Sequence, residues 1–192
     1  MSQTIPPELL EEAYRQGIFP MADEDGRIRW YSPDPRTIID LDRFHISRRL
    51  ARTIRQRKFE ITVNRDFDGV VRGCAGREET WINDKIAAAY SALHRLGKAH
   101  SVEAYYEGNL AGGIYGVSLG GAFMGESMFT IVRDASKVCL GFLVGRLKER
   151  GYVLFDVQFT TPHLKRFGAV EISRREYMKR LEKALALPCR FL

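Results

Sequence analysis

The alternation of apolar and polar residues changes period along the chain, and the changes mark out its elements. Residues 7–16 read as a short helix, with Pro7 in the first turn and Gly17 just past the end. The stretch from there through Arg36 sets Pro20, Pro33 and Pro35 among Phe19, Trp30 and Tyr31, the composition of a structured binding loop rather than of a linker. A boundary between a small N-terminal lobe (1–36) and a main domain (37–192) is expected there. The pattern then predicts a strand over 37–41, a helix over 45–58, a strand over 59–63 and a short helix over 66–74. Asn83 is placed to cap a long helix that reaches residue 96 and is ended by Gly97.

From residue 101 the period-two pattern dominates. Strands are predicted over 101–106 and 110–118, joined by the turn Glu107-Gly-Asn109, and a third over 122–127 completes an antiparallel meander. Asp134 is expected to cap a helix whose Leu140, Leu143, Val144 and Leu147 share one face and which Gly151 closes. A strand over 153–158, a short helix between Pro162 and Gly168, a strand over 170–172 and a last helix begun by the capping box Ser173-Arg-Arg-Glu176 complete an α+β order.

Composition adds bounds. A chain of 192 residues can bury one sizeable core, as one main domain with a small appended lobe. Thirty Lys and Arg against 24 Asp and Glu give a net charge of +6, compatible with a polyanionic partner without requiring one. Cys74, Cys139 and Cys189 are far apart, odd in number and form no C-x-x-C pair, so neither a disulfide framework nor a zinc site is indicated. The N-terminus has no basic and apolar leader pattern, and no apolar run is long enough to span a bilayer. A cytoplasmic protein without membrane association, most simply a monomer, is expected.

Two segments carry candidate chemistry. The glycine-punctuated hairpin over 111–129 places a lone carboxylate, Glu126, among Phe123, Met124, Met128 and Phe129, which is pocket composition. Glu126 would be costly to bury unpaired, and a cationic ligand group is its expected partner. Asp156 and Gln158 are two apart in a predicted strand, so their side chains are expected on one face. A carboxylate beside an amide near an apolar pocket suits chemistry on an amine; on spacing alone, a solvated strand edge is an equal reading. Residues 43–58 hold seven Lys or Arg and no acid, and Arg48, Arg52 and Arg55 form one helical stripe suited to nucleic-acid backbone. Other sites fail on spacing. Asp23-Glu-Asp-Gly26 is too short for a calcium loop, the four His are unclustered, and the paired glycines lie in a hairpin rather than between strand and helix.

Nine short words in order, Gln16-Gly-Ile-Phe-Pro20, Trp30-Tyr-Ser-Pro-Asp-Pro-Arg36, His45-Ile-Ser-Arg48, Thr80-Trp-Ile82, Ala99-His-Ser-Val-Glu103, Gly125-Glu-Ser-Met-Phe129, Ala135-Ser-Lys137, Asp156-Val-Gln158 and Phe167-Gly-Ala169, resemble the leucyl/phenylalanyl-tRNA–protein transferase family. The resemblance runs from about residue 8 to residue 180. It implies a GCN5-related acetyltransferase-like catalytic domain, no metal or organic cofactor, and transfer of Leu or Phe, and also Met, from aminoacyl-tRNA to proteins beginning with Arg or Lys, which marks them for degradation. It implies catalytic roles for Asp156 and Gln158 at the acceptor amine, with Glu126 as a further catalytic-site carboxylate. A donor pocket is implied at Ile114, Phe123, Met128, Leu143, Leu147 and Phe155, with Trp81 and Tyr90 near the terminal adenosine. Met21 stands where other members carry a Trp that stacks on adenine. An acyl-CoA-dependent N-acetyltransferase and a non-catalytic tRNA-binding module are the competing functions; residues 130–136 lack the glycine-rich loop that the first requires.

Overall fold

The computed structural model describes residues 5–192; the first four residues, part of the N-terminus read above as leaderless, lie outside the described residues. The chain opens with α1 (Pro7–Arg15) and a two-stranded antiparallel hairpin, β1 (Phe19–Ala22) and β2 (Ile28–Tyr31), paired from Phe19–Tyr31 to Ala22–Ile28. The proline-rich stretch expected to be loop is therefore partly strand. Both prolines near Tyr31 fall beyond the ladder, where no amide hydrogen is required of them.

The remaining strands, β3 (Arg36–Ile39), β4 (Glu60–Val63), β5 (Ala99–Tyr106), β6 (Asn109–Leu119), β7 (Ala122–Thr130), β8 (Leu154–Gln158) and β9 (Ala169–Ile172), form one sheet in the order β4-β5-β6-β7-β8-β3-β9. Every neighbouring pair is antiparallel except β7 with β8. The meander of β5, β6 and β7 turns tightly at Glu107-Gly108, both at positive φ (50° and 78°), as a two-residue hairpin between right-twisted strands requires.

Helices cover both faces. On one, α1, α3 (Phe67–Ala75), α4 (Asp84–Arg95) and α7 (Arg174–Leu185) contribute Leu10, Tyr14, Val70, Ile86, Tyr90 and Tyr177 to a core with Tyr115 and Met124. On the other, α2 (Arg48–Arg55), α5 (Ala135–Glu149) and α6 (Pro162–Lys165) pack Leu50, Leu140, Leu143, Leu147 and Leu164 with Ile114, Phe123 and Phe155. This is the α+β arrangement expected, and the predicted apolar face of α5 is the buried one.

Local signals hold with three adjustments. The Asn83 side chain accepts from Ile86 N, as a cap should. The basic helix is shorter than its charge run, because the Ser47 side chain accepts from Leu50 N and starts α2 there. Asp134 occupies the N-cap position of α5 in a left-handed conformation and makes no cap bond; its carboxylate instead accepts from Lys137 Nζ at 2.9 Å and Arg49 Nη2 at 3.1 Å. Ser173 caps α7, yet the Glu176 carboxylate pairs with Arg180 rather than closing the reciprocal half of the box.

Candidate active site

The parallel ladder between β7 and β8 ends at Met124–Asp156, and both strands continue past it without pairing to each other. Each carries an irregularity at that point. On β7, Tyr115 faces Ser127 while Gly116 faces Gly125, so Glu126 is an extra residue relative to β6. Only glycine fits opposite the bulge at 116, since a Cβ there would stand 2.3 Å from Met124 O and 2.5 Å from the Phe123 ring. On β8, Thr37 faces Gln158 and Ile38 faces Asp156, which leaves Val157 extra. Gln158 then adopts φ 59°, and Phe159 N donates to Val157 O at 2.7 Å in a three-residue turn. Bulges re-aim side chains, and here they bring Glu126 and Gln158 to each other across the open end of the ladder.

The Gln158 side chain donates from Nε2 to Glu126 Oε1 at 2.8 Å, and Tyr90 OH donates to Glu126 Oε2, also at 2.8 Å. Tyr14 OH lies 2.6 Å from Tyr90 OH; because the Tyr90 hydrogen is committed to Glu126, Tyr14 is the donor. Burial pushes the Glu126 carboxyl up to about 7; the hydroxyls of Tyr14 and Tyr90 pull it down, nearby Asp156 pushes it further up, and Arg36 pulls it down. With Nε2 held by Glu126, the Gln158 carbonyl oxygen is left as a free acceptor: among the described residues nothing donates to it.

Asp156 has a different set of partners. Arg36 grips its carboxylate with two bonds, Nε to Oδ1 at 2.9 Å and Nη2 to Oδ2 at 2.6 Å, while both side chains are almost fully buried. Tyr177 OH donates to Oδ2 at 2.9 Å, and Gln158 N donates to Oδ1 at 2.9 Å. The guanidinium lies between the rings of Phe19 (4.8 Å) and Tyr177 (4.5 Å) and donates to Gly17 O at 3.0 Å. Burial disfavours its charge, but Asp156 more than compensates and Arg36 is held protonated.

Beside this network opens a cavity of about 390 Å³. Its wall is formed by Phe19, Met21, Arg77, Trp81 and Ile114, by the consecutive residues 125–128, by Leu140 and Phe155, and by Val157, Gln158, Phe159, Thr161, His163 and Leu164. The runs 125–128 and 157–159 face the cavity with consecutive residues, which a regular strand does not do.

The leucyl/phenylalanyl-tRNA protein transferase family matches residues 38–182, and the N-terminal domain of that family matches residues 3–34. The chain belongs to this family. It is 58% identical over 182 residues to a leucyl/phenylalanyl-tRNA–protein transferase of Rubrobacter xylanophilus, across 94% of this chain and 95% of that one. With the protein of the same name from Gloeobacter violaceus it shares 55% identity over 192 residues and the full length of both. Among solved structures, a ribosomal-protein-alanine N-acetyltransferase from Brucella melitensis biovar Abortus 2308 overlays with a TM-score of 0.38 and 17% identity, over 49% of this chain and 76% of that one. L-PGS from Bacillus licheniformis overlays with a TM-score of 0.44 and 17% identity, over 84% of this chain and 56% of that one.

For this transferase-family chain the structure sorts the residues singled out in the sequence. Glu126, Gln158, Trp81, Ile114, Met128 and Phe155 line the cavity, as does Met21. Phe123, Leu143 and Leu147 do not. They are almost fully buried between sheet and α5, behind the wall, because apolar residues of a pocket and of the core under it have the same pattern. Tyr90 is also fully buried, edge-on to Trp81 at 6.4 Å, and its hydroxyl serves Glu126, so its ring has no face to offer an adenine. Asp156 does not line the cavity: as expected it shares a face with Gln158, the side of Tyr90 and Tyr177, while Phe155 and Val157 pack on the other, but Arg36 and Tyr177 bury it there. Glu126, expected to await a cation, already has neutral donors on both oxygens.

Other wall residues were not singled out as site residues in the sequence, although Phe19 lies in the stretch read as a binding loop. Arg77, Thr161 and His163 sit in loops or a one-turn helix without periodicity, and Phe19 and Phe159 meet edge-on at 5.7 Å from opposite ends of the chain. Arg48, Arg52 and Arg55 are exposed on α2, and none is ion-paired among the described residues, whereas Arg49 between them bonds to Asp134. Among the described residues no group of His, Cys, Asp and Glu could hold a metal ion, and no helix is long and apolar enough to cross a membrane.

Proposed function

We propose that this chain transfers Leu or Phe, and Met as well, from the ester of an aminoacyl-tRNA to the α-amine of an acceptor protein, with the donor side chain in the cavity and the amine at Gln158. The observation that carries this reading is the Gln158 carbonyl oxygen, a free acceptor on the wall of a largely apolar cavity, oriented by Glu126 through Nε2. An amine donates one hydrogen to that oxygen and points its lone pair at the ester carbonyl. The C–N bond forms as the ester C–O bond breaks, and the surplus amine proton leaves with the ribose hydroxyl or through water. A free α-amine has a pKa of about 7.7–8, so roughly a tenth is already deprotonated at pH 7, a cost of about 1.4 kcal/mol. Orientation therefore does more here than proton abstraction. Asp156 acts through Gln158: by accepting from its backbone N–H it holds the turn that aims the amide, and Arg36 fixes Asp156.

Ile114, Met128, Leu140 and Phe155 suit an unbranched, branched or aromatic apolar donor, and Met is adaptable enough to accommodate all three. Trp81 and Met21 are the wall residues assigned to the adenosine, Met21 supplying an apolar surface where a Trp would stack. Arg48, Arg52 and Arg55 are assigned to the acceptor-stem backbone. Acceptors beginning with Arg or Lys and their degradation rest on the family resemblance, and a cytoplasmic location and a monomer on the reading of composition; with Glu126 occupied, its proposed role is to orient Gln158, not to bind the basic side chain. The lobe boundary near residue 36 belongs to the same reading, with β1 and β2 carrying Phe19 and Met21 to the wall. No cofactor is invoked.

An acyl-CoA donor fits less well. Its pyrophosphate would need a glycine-rich loop at the N-terminus of the helix after β7, and residues 130–136 there contain no glycine. Labelled Leu-tRNA or labelled acetyl-CoA, each with a peptide beginning with Arg, decides between them. Labelling from the tRNA is the expected result; labelling from CoA alone, or from neither, overturns the proposal. Leu-, Phe- and Met-tRNA should be used within about 1–3 kcal/mol of one another, since a methylene or a change of shape in an apolar pocket is worth no more. Equal use of Asp-tRNA would remove the apolar pocket from the account.

A further inference from the structure

The loop between α3 and α4 brings one guanidinium to the cavity wall. Arg77 donates from Nε to Cys74 O at 3.1 Å and from Nη2 to Ser127 Oγ at 3.0 Å. Both acceptors are neutral. Among the described residues no carboxylate pairs with Arg77, although Glu78 and Glu79 follow it directly, and Nη1 has no protein acceptor. A guanidinium fixed in place by two neutral groups, with one edge left open beside an apolar cavity, is preorganised for an anion that the protein does not itself supply.

Its surroundings narrow the anion down. Trp81, four residues on, lines the same cavity, and Thr80 Oγ1 donates to Cys74 O, the carbonyl that also receives Arg77 Nε. Arg77 and Trp81 thus hang from the same end of α3. Ser127, which Arg77 touches, follows Glu126, the residue that orients Gln158. Going from the reacting ester outward, an aminoacyl-tRNA presents the ribose and adenine of its last nucleoside and then one negatively charged phosphodiester. A wall that carries Gln158, an indole and an open guanidinium holds one group suited to each of these parts.

We infer that Arg77 is the receptor for the phosphodiester on the 5′ side of the donor's terminal nucleoside, so that the site measures the donor from ester to first phosphate. The inference rests on the transfer reading above. Planar, forked guanidinium donors match phosphate oxygens in pairs, which Lys cannot reproduce.

The test uses two non-hydrolysable donors in which leucine is amide-linked to 3′-amino-adenosine, one with a free 5′-hydroxyl and one with a 5′-phosphate methyl ester. The intact protein should bind the phosphorylated form at least about tenfold more tightly, the size of a good charge-assisted contact. Arg77→Gln should bring the two affinities together, and Arg77→Lys should keep part of the difference. A parental ratio near one, or a ratio that survives Arg77→Gln, overturns the assignment. Equal weakening of both analogues with the ratio retained makes Arg77 a structural residue and overturns it as well. If neither analogue binds the parent, the transfer reading itself has failed, which is distinct from a failure of Arg77 because the unphosphorylated analogue does not depend on it.

Discussion

At Glu126 the carboxyl is raised from its usual 4.5 to about 7, chiefly by burial, so it titrates where the enzyme is expected to work. The bonds from Tyr90 and Gln158 are both donated to it and favour the ionised form; a proton on either oxygen displaces one of them. Transfer at low acceptor concentration should therefore rise through about pH 7 with two components, ionisation of Glu126 and deprotonation of the amine. In a pH–rate profile Glu126→Gln should lose the first and keep the second; an unchanged profile would free Gln158 from Glu126. The folding linkage has the opposite sense. Between 4.5 and 7 the folded state binds the proton that the unfolded state releases, so this group contributes stability below 4.5 that is lost as pH rises through 7, about 3 kcal/mol at the most. Chemical denaturation of the parent and of Glu126→Gln across that range measures the difference. Gln158→Ala should lower turnover at least about tenfold without preventing donor binding, as read from single-turnover rates. The sequence showed Glu126 as a carboxylate out of place among apolar residues. Its partners could not be read there, because Tyr14, Tyr90 and Gln158 are brought to it by separate elements.

For the elements, hydrophobic period and capping residues were enough to lay out nearly every helix and the meander, since α3, α4 and α5 each bury one face and start where an Asp or Asn stands. The bulges were not legible. Period-two reasoning rightly assigns Asp156 and Gln158 to one face, but nothing local to residues 156–158 announces that Val157 is extra relative to β3 or that Gln158 turns to positive φ. Gly116 was the nearest thing to a signal, as the strand residue that a Cβ would drive into the facing backbone. Gly116→Ala should flatten or displace the bulge, destabilise by roughly 1–3 kcal/mol or more, and lower transfer by more than the lost folded fraction, as checked by denaturation and by activity per folded molecule. On α2 the exposed Arg48, Arg52 and Arg55 lack ion-pair partners among the described residues. Neutralising all three should weaken binding of different tRNAs about alike and reduce the slope of log affinity against log salt by roughly two to three. A slope that does not change would return the stripe to ordinary solvated surface.

Across the whole molecule, Arg36 and Asp156 tie three parts together: the segment before β1 through Gly17, the strand that carries Gln158, and α7 through Tyr177. Removing one member of such a buried pair strands a charge and typically costs about 3–5 kcal/mol, whereas removing both is milder. Asp156→Asn or Arg36→Met alone should therefore destabilise more than the two together, with denaturation midpoints as the measure. The double variant should fold and still transfer slowly, because the amide replacing the Asp156 carboxylate is no longer clamped by Arg36 and holds the Gln158 turn less firmly. The sheet order has a further consequence in time. β3 pairs only with β8 and β9, so a strand ending at Ile39 is made long before Leu154. At roughly 5–20 residues per second a ribosome needs on the order of ten seconds to synthesise the intervening chain. During that interval β5, β6 and β7 can already close their local hairpins while the N-terminal third waits with an unpaired edge. The catalytic geometry is thus among the last things this chain acquires, and a product truncated before β8 should carry the meander, expose β3, and have no site at all.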